Sequence, residues 1–102
     1  MTNVIVLQRP RWITYSAFQT RLSPEWAALE LFATDNPNLP DADRLTRAKV
    51  RAWRDLARGS AYIDLDDSRL RSGLLDLVAL GLLTEARMEE ILGADVIDLE
   101  TP

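Results

Sequence analysis

Five arginines recur at helical spacing within residues 42–58, and guanidinium groups bind carboxylates and phosphates. At about 100° per residue they fall inside an arc of roughly 80°. The five are Arg44, Arg47, Arg51, Arg54 and Arg58, here called the arginine stripe. A planar guanidinium binds two oxygens at once. Neighbouring cations repel one another unless water, salt or an anionic surface screens them. The pattern therefore predicts a docking face for an acidic protein partner or a neighbouring subunit.

Two other interpretations of the arginine stripe stay open. It could be a solvated helix face, or one neutralised by the acidic C-terminal third of the same chain. It could also bind nucleic acid, but the net charge is −4 and the isoelectric point is about 4.7. Phosphate binding needs a positive local potential, so the overall balance argues against nucleic acid.

The charges are divided along the chain. Residues 1–60 carry nine basic and six acidic side chains, whereas residues 61–102 carry three basic and ten acidic ones. The two parts therefore have net charges of opposite sign. Oppositely charged parts of one molecule favour head-to-tail contacts between copies. Such contacts form a ring when the rotation from each copy to the next closes on itself.

The residue types needed for most catalytic and metal sites are missing. The chain has no histidine and no cysteine, which removes the commonest general base and thiolate ligands. The acidic run DLDD at 64–67 lacks the spacing of a calcium loop, and capping of the next helix explains it more simply. We therefore predict a non-enzymatic protein with no cofactor and no metal site.

The segment GLLTEARMEEILG at 81–93 has the form of a tight helical pair, as DNA-binding motifs do. Its second helix presents Glu85, Glu89 and Glu90 against Arg87 alone, and DNA phosphates would repel such a face. We predict a structural hairpin packed into the core. The three glutamates are also candidate partner-binding residues.

The three tryptophans differ in their sequence context. Trp26 and Trp53 lie on apolar helix faces and are predicted to pack in the core. Trp12 follows a proline in the basic stretch QRPRW. It is the tryptophan most expected to be exposed, and an exposed tryptophan beside arginines is a candidate interface residue.

Periodicity and capping residues predict a single domain over residues 1–102 with an α-dominated α+β fold. Four to five short helices are expected, starting near Thr14, Ser23-Pro24, Asp41, Asp66–Ser68 and Thr84. A small two- or three-stranded sheet should join VIVL at 4–7, AYIDL at 61–65 and possibly VIDL at 96–99.

No apolar run reaches membrane-span length, and the N-terminus lacks signal-peptide features. We therefore expect a cytoplasmic protein in the producing cell.

The segment AYIDLDDSRLRSGLLDLVALGLLTEARMEEIL resembles the C-terminal part of small uncharacterised proteins from tailed-bacteriophage genomes. In that group a short "YIDL" strand leads to a helix that ends in a Gly-Leu-Leu-Thr turn before a last helix bearing Arg and Glu. The similarity covers about a third of the chain. It implies a virus-encoded accessory or virion component, from a tail or neck region, and carries over no catalytic residue.

These observations favour a phage-type structural or assembly protein that acts by protein–protein docking. It would bind another protein in a hetero-oligomer or further copies of itself in a homo-oligomer. The protein could be incorporated in the virion. An alternative is a small acidic inhibitor that binds a host nucleic-acid enzyme during host takeover. Its acidic third, including the Glu85, Glu89 and Glu90 face, would mimic phosphate.

Overall fold

A computed structural model describes residues 10–102, which form five helices and a two-stranded antiparallel sheet. The helices are α1 Tyr15–Arg21, α2 Ser23–Ala33, α3 Asp41–Arg58, α4 Ser68–Ala79 and α5 Glu85–Gly93. The strands are β1 Trp12–Ile13 and β2 Ile63–Asp64. The predicted α-dominated α+β class is confirmed.

Side-chain caps begin three of the helices where the sequence predicted them. The hydroxyl oxygen of Thr14 accepts a hydrogen bond from the Ala17 amide at 3.0 Å. The hydroxyl oxygen of Thr84 accepts one from the Arg87 amide at 3.1 Å, and Asp67 caps α4 in the same way. Each cap satisfies an amide that has no partner within its own helix.

The turn between α4 and α5 closes with a left-handed residue, Gly81, at φ 77°. The Leu82 amide donates to the Leu77 carbonyl and the Gly81 amide donates to the Val78 carbonyl, both at 3.0 Å. These are the two bonds of a Schellman motif, which requires a positive φ that glycine adopts without strain. The Gly-Leu-Leu-Thr turn is therefore a helix terminator.

The sheet differs from the predicted one. In β1 and β2, Trp12 lies opposite Asp64, and Ile13 lies opposite Ile63. The predicted strand VIVL at 4–7 lies outside the described residues. The possible third strand at 96–99 is wrong, because its last two residues begin a 3-10 turn, Asp98–Glu100. The Thr14 amide donates to the Glu100 carbonyl at 2.8 Å, so this segment attaches to the start of α1 and adds no strand.

The core receives buried side chains from all five helices and from both strands. Its largest fully buried side chains are Phe18, Ile13, Leu22, Leu29, Leu74 and Met88. The segment 81–93 contributes Leu83, Met88, Ile91 and Leu92 to this core. The predicted structural hairpin is therefore present. Within the described residues, no helix is both long enough and apolar enough to cross a lipid bilayer.

Candidate functional site

The central arginines of the stripe lie against the C-terminal end of α2. The Arg47 guanidinium stacks 4.5 Å from the centre of the Phe32 ring and donates to the Phe32 carbonyl at 3.3 Å. Arg51 donates to the Ala33 carbonyl at 3.1 Å. The last carbonyls of a helix have no partner within that helix and carry partial negative charge. The two arginines therefore cap α2 from the neighbouring helix.

Arg54 makes the closest ion pair of the stripe. Its Nη1 donates to Glu30 Oε2 at 2.6 Å, and its Nη2 lies 3.2 Å from Asp55 Oδ1. Only 13% of the Arg54 side chain is exposed. A charge-assisted hydrogen bond with so little solvent contact is stronger than an exposed ion pair. This contact joins α2 to α3.

The two ends of the stripe are more open to solvent. Arg44 donates to both carboxylate oxygens of Asp35, at 3.0 and 2.9 Å, and these bonds lower the pKa of Asp35. The Arg58 guanidinium lies 4.0 Å from Glu30, and 56% of its side chain is exposed. Every arginine of the stripe thus has an acidic or carbonyl partner on α2, on α3 or in the loop after α2.

This arrangement differs from the expected free docking face. The neutralising groups come from α2, from the loop that follows it and from Asp55 of α3 itself, and not from the acidic C-terminal third. Because the guanidinium groups already have partners, the stripe offers an external carboxylate less unpaired charge than the sequence predicts. A partner-binding role for the arginine stripe stays a prediction. The opposite side of α3 is a second candidate for a binding surface.

The opposite side of α3 carries an exposed row of mainly apolar side chains. The row, here called the α3 ridge, consists of Leu45, Lys49, Ala52 and Leu56, all of them exposed. Leu45 is 56% exposed and Leu56 is 74% exposed. At about 100° per residue the four positions span roughly 60° of the helix surface. The apolar side of α3 would ordinarily be expected to face the core.

The buried side of α3 lies between the stripe and the groove toward α4. Val50 and Ala57 are buried there, and Trp53 packs edge-on against Phe18 with ring centres 6.3 Å apart. Trp53 is partly buried, as predicted. Val50, Trp53, Ala57 and the arginine stems occupy the side of α3 that faces the rest of the protein. The α3 ridge therefore faces solvent.

A groove between α3 and α4 adjoins the ridge. One cavity of about 330 Å³ is lined by residues that include Lys49, Trp53 and Leu80. A second cavity, of about 230 Å³, is lined by Leu56 and Tyr62 among others, and Trp53 lines both. The ridge and the groove thus form one predominantly apolar surface. Its charged side chains are Lys49 on the ridge and, in the groove, Asp64, Asp67, Arg69 and Asp76.

Trp12 extends this surface at the sheet end. Its ring stacks on Tyr62 with centres 4.1 Å apart, and the two side chains are 38% and 39% exposed. Trp12 is thus more exposed than Trp26 or Trp53, as the sequence predicted. Because Tyr62 and Leu56 line the same cavity, the aromatic pair and the ridge are neighbours. A role for Trp12 in partner binding stays a prediction.

The candidate acidic face on α5 is partly neutralised. Glu85, Glu89 and Glu90 are all exposed. Glu89 forms an ion pair with Arg71, and Glu90 forms one with Arg87 at 2.8 Å. Glu85 has no ion-pair partner among residues 10–102. A surface with two of its three carboxylates paired has a weaker negative potential than the sequence alone indicates.

Sequence reasoning missed an ion-paired clasp at the C-terminal segment. Arg21 donates to both carboxylate oxygens of Glu100, at 2.6 and 2.8 Å, and to the carbonyl of Ile91 at 2.7 Å. The two side chains are only 9% and 14% exposed. The hydrogen bond from Arg21 lowers the pKa of Glu100 despite its partial burial. No local pattern signals this contact, because its partners are 79 positions apart.

The DLDD acids serve structural contacts. Asp67 caps α4, Asp66 accepts a hydrogen bond from Arg11 at 2.9 Å, and Asp64 accepts one from the Asp66 amide at 2.9 Å. Across residues 10–102, no group of three or more acidic side chains is placed to hold a metal ion.

Comparison of the chain with protein-family models, curated proteins and solved structures gives no match. The similarity of residues 61–92 to tailed-phage proteins therefore stays a prediction. The surface of α3 and its surroundings is therefore the part of the molecule that bears on function.

Proposed function

We propose that this chain is a non-enzymatic protein-docking module of the structural or assembly kind, and that it docks through the α3 ridge and the adjoining groove. The exposure of Leu45 and Leu56 carries the proposal. These leucines face solvent on the same helix whose central arginines, Arg47, Arg51 and Arg54, lie against α2. Contiguous exposed apolar surface on a small protein marks an interaction site.

The chemistry of the surface supports a protein partner. Leucines, an exposed Trp12–Tyr62 pair and an apolar groove are features of interfaces, in which large side chains bury apolar area. Lys49 is the one charge on the ridge, so the partner surface should be mainly apolar. A nucleic-acid partner would require clustered free cations, whereas the arginine stripe is occupied by internal contacts.

A place in virion assembly is the specific form of this proposal. Its support is the resemblance of residues 61–92 to small tailed-phage proteins. The inhibitor alternative receives less support, because Arg71 and Arg87 already pair with two of the three carboxylates expected to mimic phosphate.

Site-specific photocrosslinking in producing cells tests the docking role. A photoreactive amino acid at Leu56 should give adducts with a virion structural protein or with the chain itself. The same probe at Ser16, an exposed position on α1, is the control and should give none. Adducts with a host nucleic-acid enzyme from a probe at Glu85, with none from Leu56, would favour the inhibitor and overturn the proposal.

A further inference from the structure

We infer that the occupant of the α3 ridge is the α3 ridge of a second copy, packed antiparallel across a two-fold axis. This inference depends on the proposed docking role and names its partner. The ridge has the same spacing in both directions. Leu45 and Leu56 are equally far from the midpoint between Val50 and Arg51, and so are Lys49 and Ala52.

A two-fold axis through that midpoint converts this spacing into complementary packing. It places Leu45 of one copy against Leu56 of the other at both ends of the contact. At the centre it places Lys49 against Ala52, whose small side chain leaves space for the lysine stem. A two-fold interface must be self-complementary in this way.

The charges beside the ridge support the same orientation. Arg44 and Asp55 lie along one flank of the ridge, with side chains 39% and 57% exposed. Antiparallel helices bring like flanks together, so Arg44 of each copy approaches Asp55 of the other, twice across the axis. Parallel helices would instead place this flank against the other one, which carries Thr46 and Trp53. Within each copy, Arg44 binds Asp35 through Nε and Nη2, and Asp55 accepts from Arg54 through Oδ1. Arg44 Nη1 and Asp55 Oδ2 thus remain for the other copy, so the antiparallel pair alone gains two intermolecular ion pairs.

Solution mass tests the dimer. The wild-type chain should have twice the monomer mass by light scattering at micromolar concentration. Leu45→Glu and Leu56→Glu should each raise the dimer dissociation constant about tenfold or more, since each buries a charge at the interface. Both positions are exposed in one copy, so the variants should keep the helical circular-dichroism spectrum of the wild type, although loss of the dimer should lower their melting temperature. Ser16→Glu on α1 is the control and should remain dimeric.

Charge reversal tests the orientation. Asp55→Arg should weaken the dimer, because it places two cations together, and adding Arg44→Asp should restore it.

Disulfide formation provides a second test, because the native chain has no cysteine. A mixture of Leu45→Cys and Leu56→Cys chains should form the mixed disulfide. Each variant alone should crosslink poorly, since antiparallel helices hold identical positions about 16 Å apart along the axis.

Several outcomes would overturn the second copy as occupant. These are a monomeric wild type at millimolar concentration, disulfides between identical positions, and failure of Arg44→Asp to restore the Asp55→Arg dimer. A monomeric chain whose Leu56 probe still crosslinks to a virion protein would retain the docking role and refute self-association. A dimer that withstands both leucine substitutions would refute the ridge as its interface, and with it the second copy as occupant.

Discussion

Gly73 of α4 lies directly against the indole of Trp53 on α3. A Cβ atom at position 73 would lie 2.1 Å from Trp53 Nε1 and 2.7 Å from its Cε2. Such distances are far below van der Waals contact, so only glycine allows this approach. The contact sets the depth at which Trp53 enters the groove and the distance between α3 and α4.

We expect Gly73→Ala to destabilise the protein by about 1–3 kcal/mol, the usual cost of overpacking a close contact. Alanine ordinarily stabilises a helix relative to glycine. A fall in the free energy of unfolding would therefore indicate the clash with Trp53. Urea unfolding followed by tryptophan fluorescence measures the free energy of unfolding. Gly93→Ala is the matched control, because no atom lies within 4 Å of its added Cβ. Equal stability for the two variants would contradict the proposed contact.

The arginine stripe should contribute to stability. We expect Arg54→Ala to lower the free energy of unfolding by about 2 kcal/mol, because Glu30 loses a charge-assisted hydrogen bond at a poorly solvated position. Arg44→Ala should cost less, since its pair with Asp35 is exposed. Chemical denaturation of both variants gives the comparison. Native-like stability for Arg54→Ala would mean that the stripe does not hold α2 and α3 together.

The clasp between Arg21 and Glu100 predicts a dependence of stability on pH. Arg21 lowers the pKa of Glu100 below its ordinary value of 4.5, so the unfolded chain binds this proton more readily than the folded chain. The stabilisation is therefore present above the ordinary value and is lost as pH falls through the lowered pKa.

Glu100→Gln isolates this contribution. The wild type should be more stable than the variant near neutral pH, and the difference should shrink in acid below about pH 4. Thermal melts of both proteins across this range measure the difference. A difference that stays constant with pH would show that ionisation of Glu100 does not stabilise the fold.

Local signals predicted all five helices, although Ser23 and Asp41, expected as caps, are the first residues of α2 and α3 and make no side-chain cap. Thr14 and Thr84 cap their helices because a hydroxyl oxygen satisfies amides within three residues, so sequence alone identifies them. The orientation of α3 could not be predicted in this way. Its arginines have long apolar stems and its leucines form a second stripe, so both sides of the helix could be buried. The arginine side faces α2 because the carbonyls of Phe32 and Ala33, at the end of α2, accept hydrogen bonds from it. These contacts exist only once α2 and α3 have packed together.

The same reasoning explains the incorrect third strand. Residues 96–99 alternate as a strand does, but Arg21 and Thr14 bind the segment at Glu100 and beside it. Residues far apart in sequence made these contacts, and periodicity carries no information about them. The docking surface proposed from the structure lies on the same helix as the one predicted from the sequence, the arginine stripe, but on its opposite side.

The central claim is that α3 docks with its leucines and not with its arginines. Photocrosslinking in producing cells tests it most directly when Leu56 on the α3 ridge is compared with Arg58 at the exposed end of the arginine stripe. We predict protein adducts, with a second copy or a virion protein, from Leu56 and none from Arg58. Adducts from Arg58 with none from Leu56 would contradict the claim.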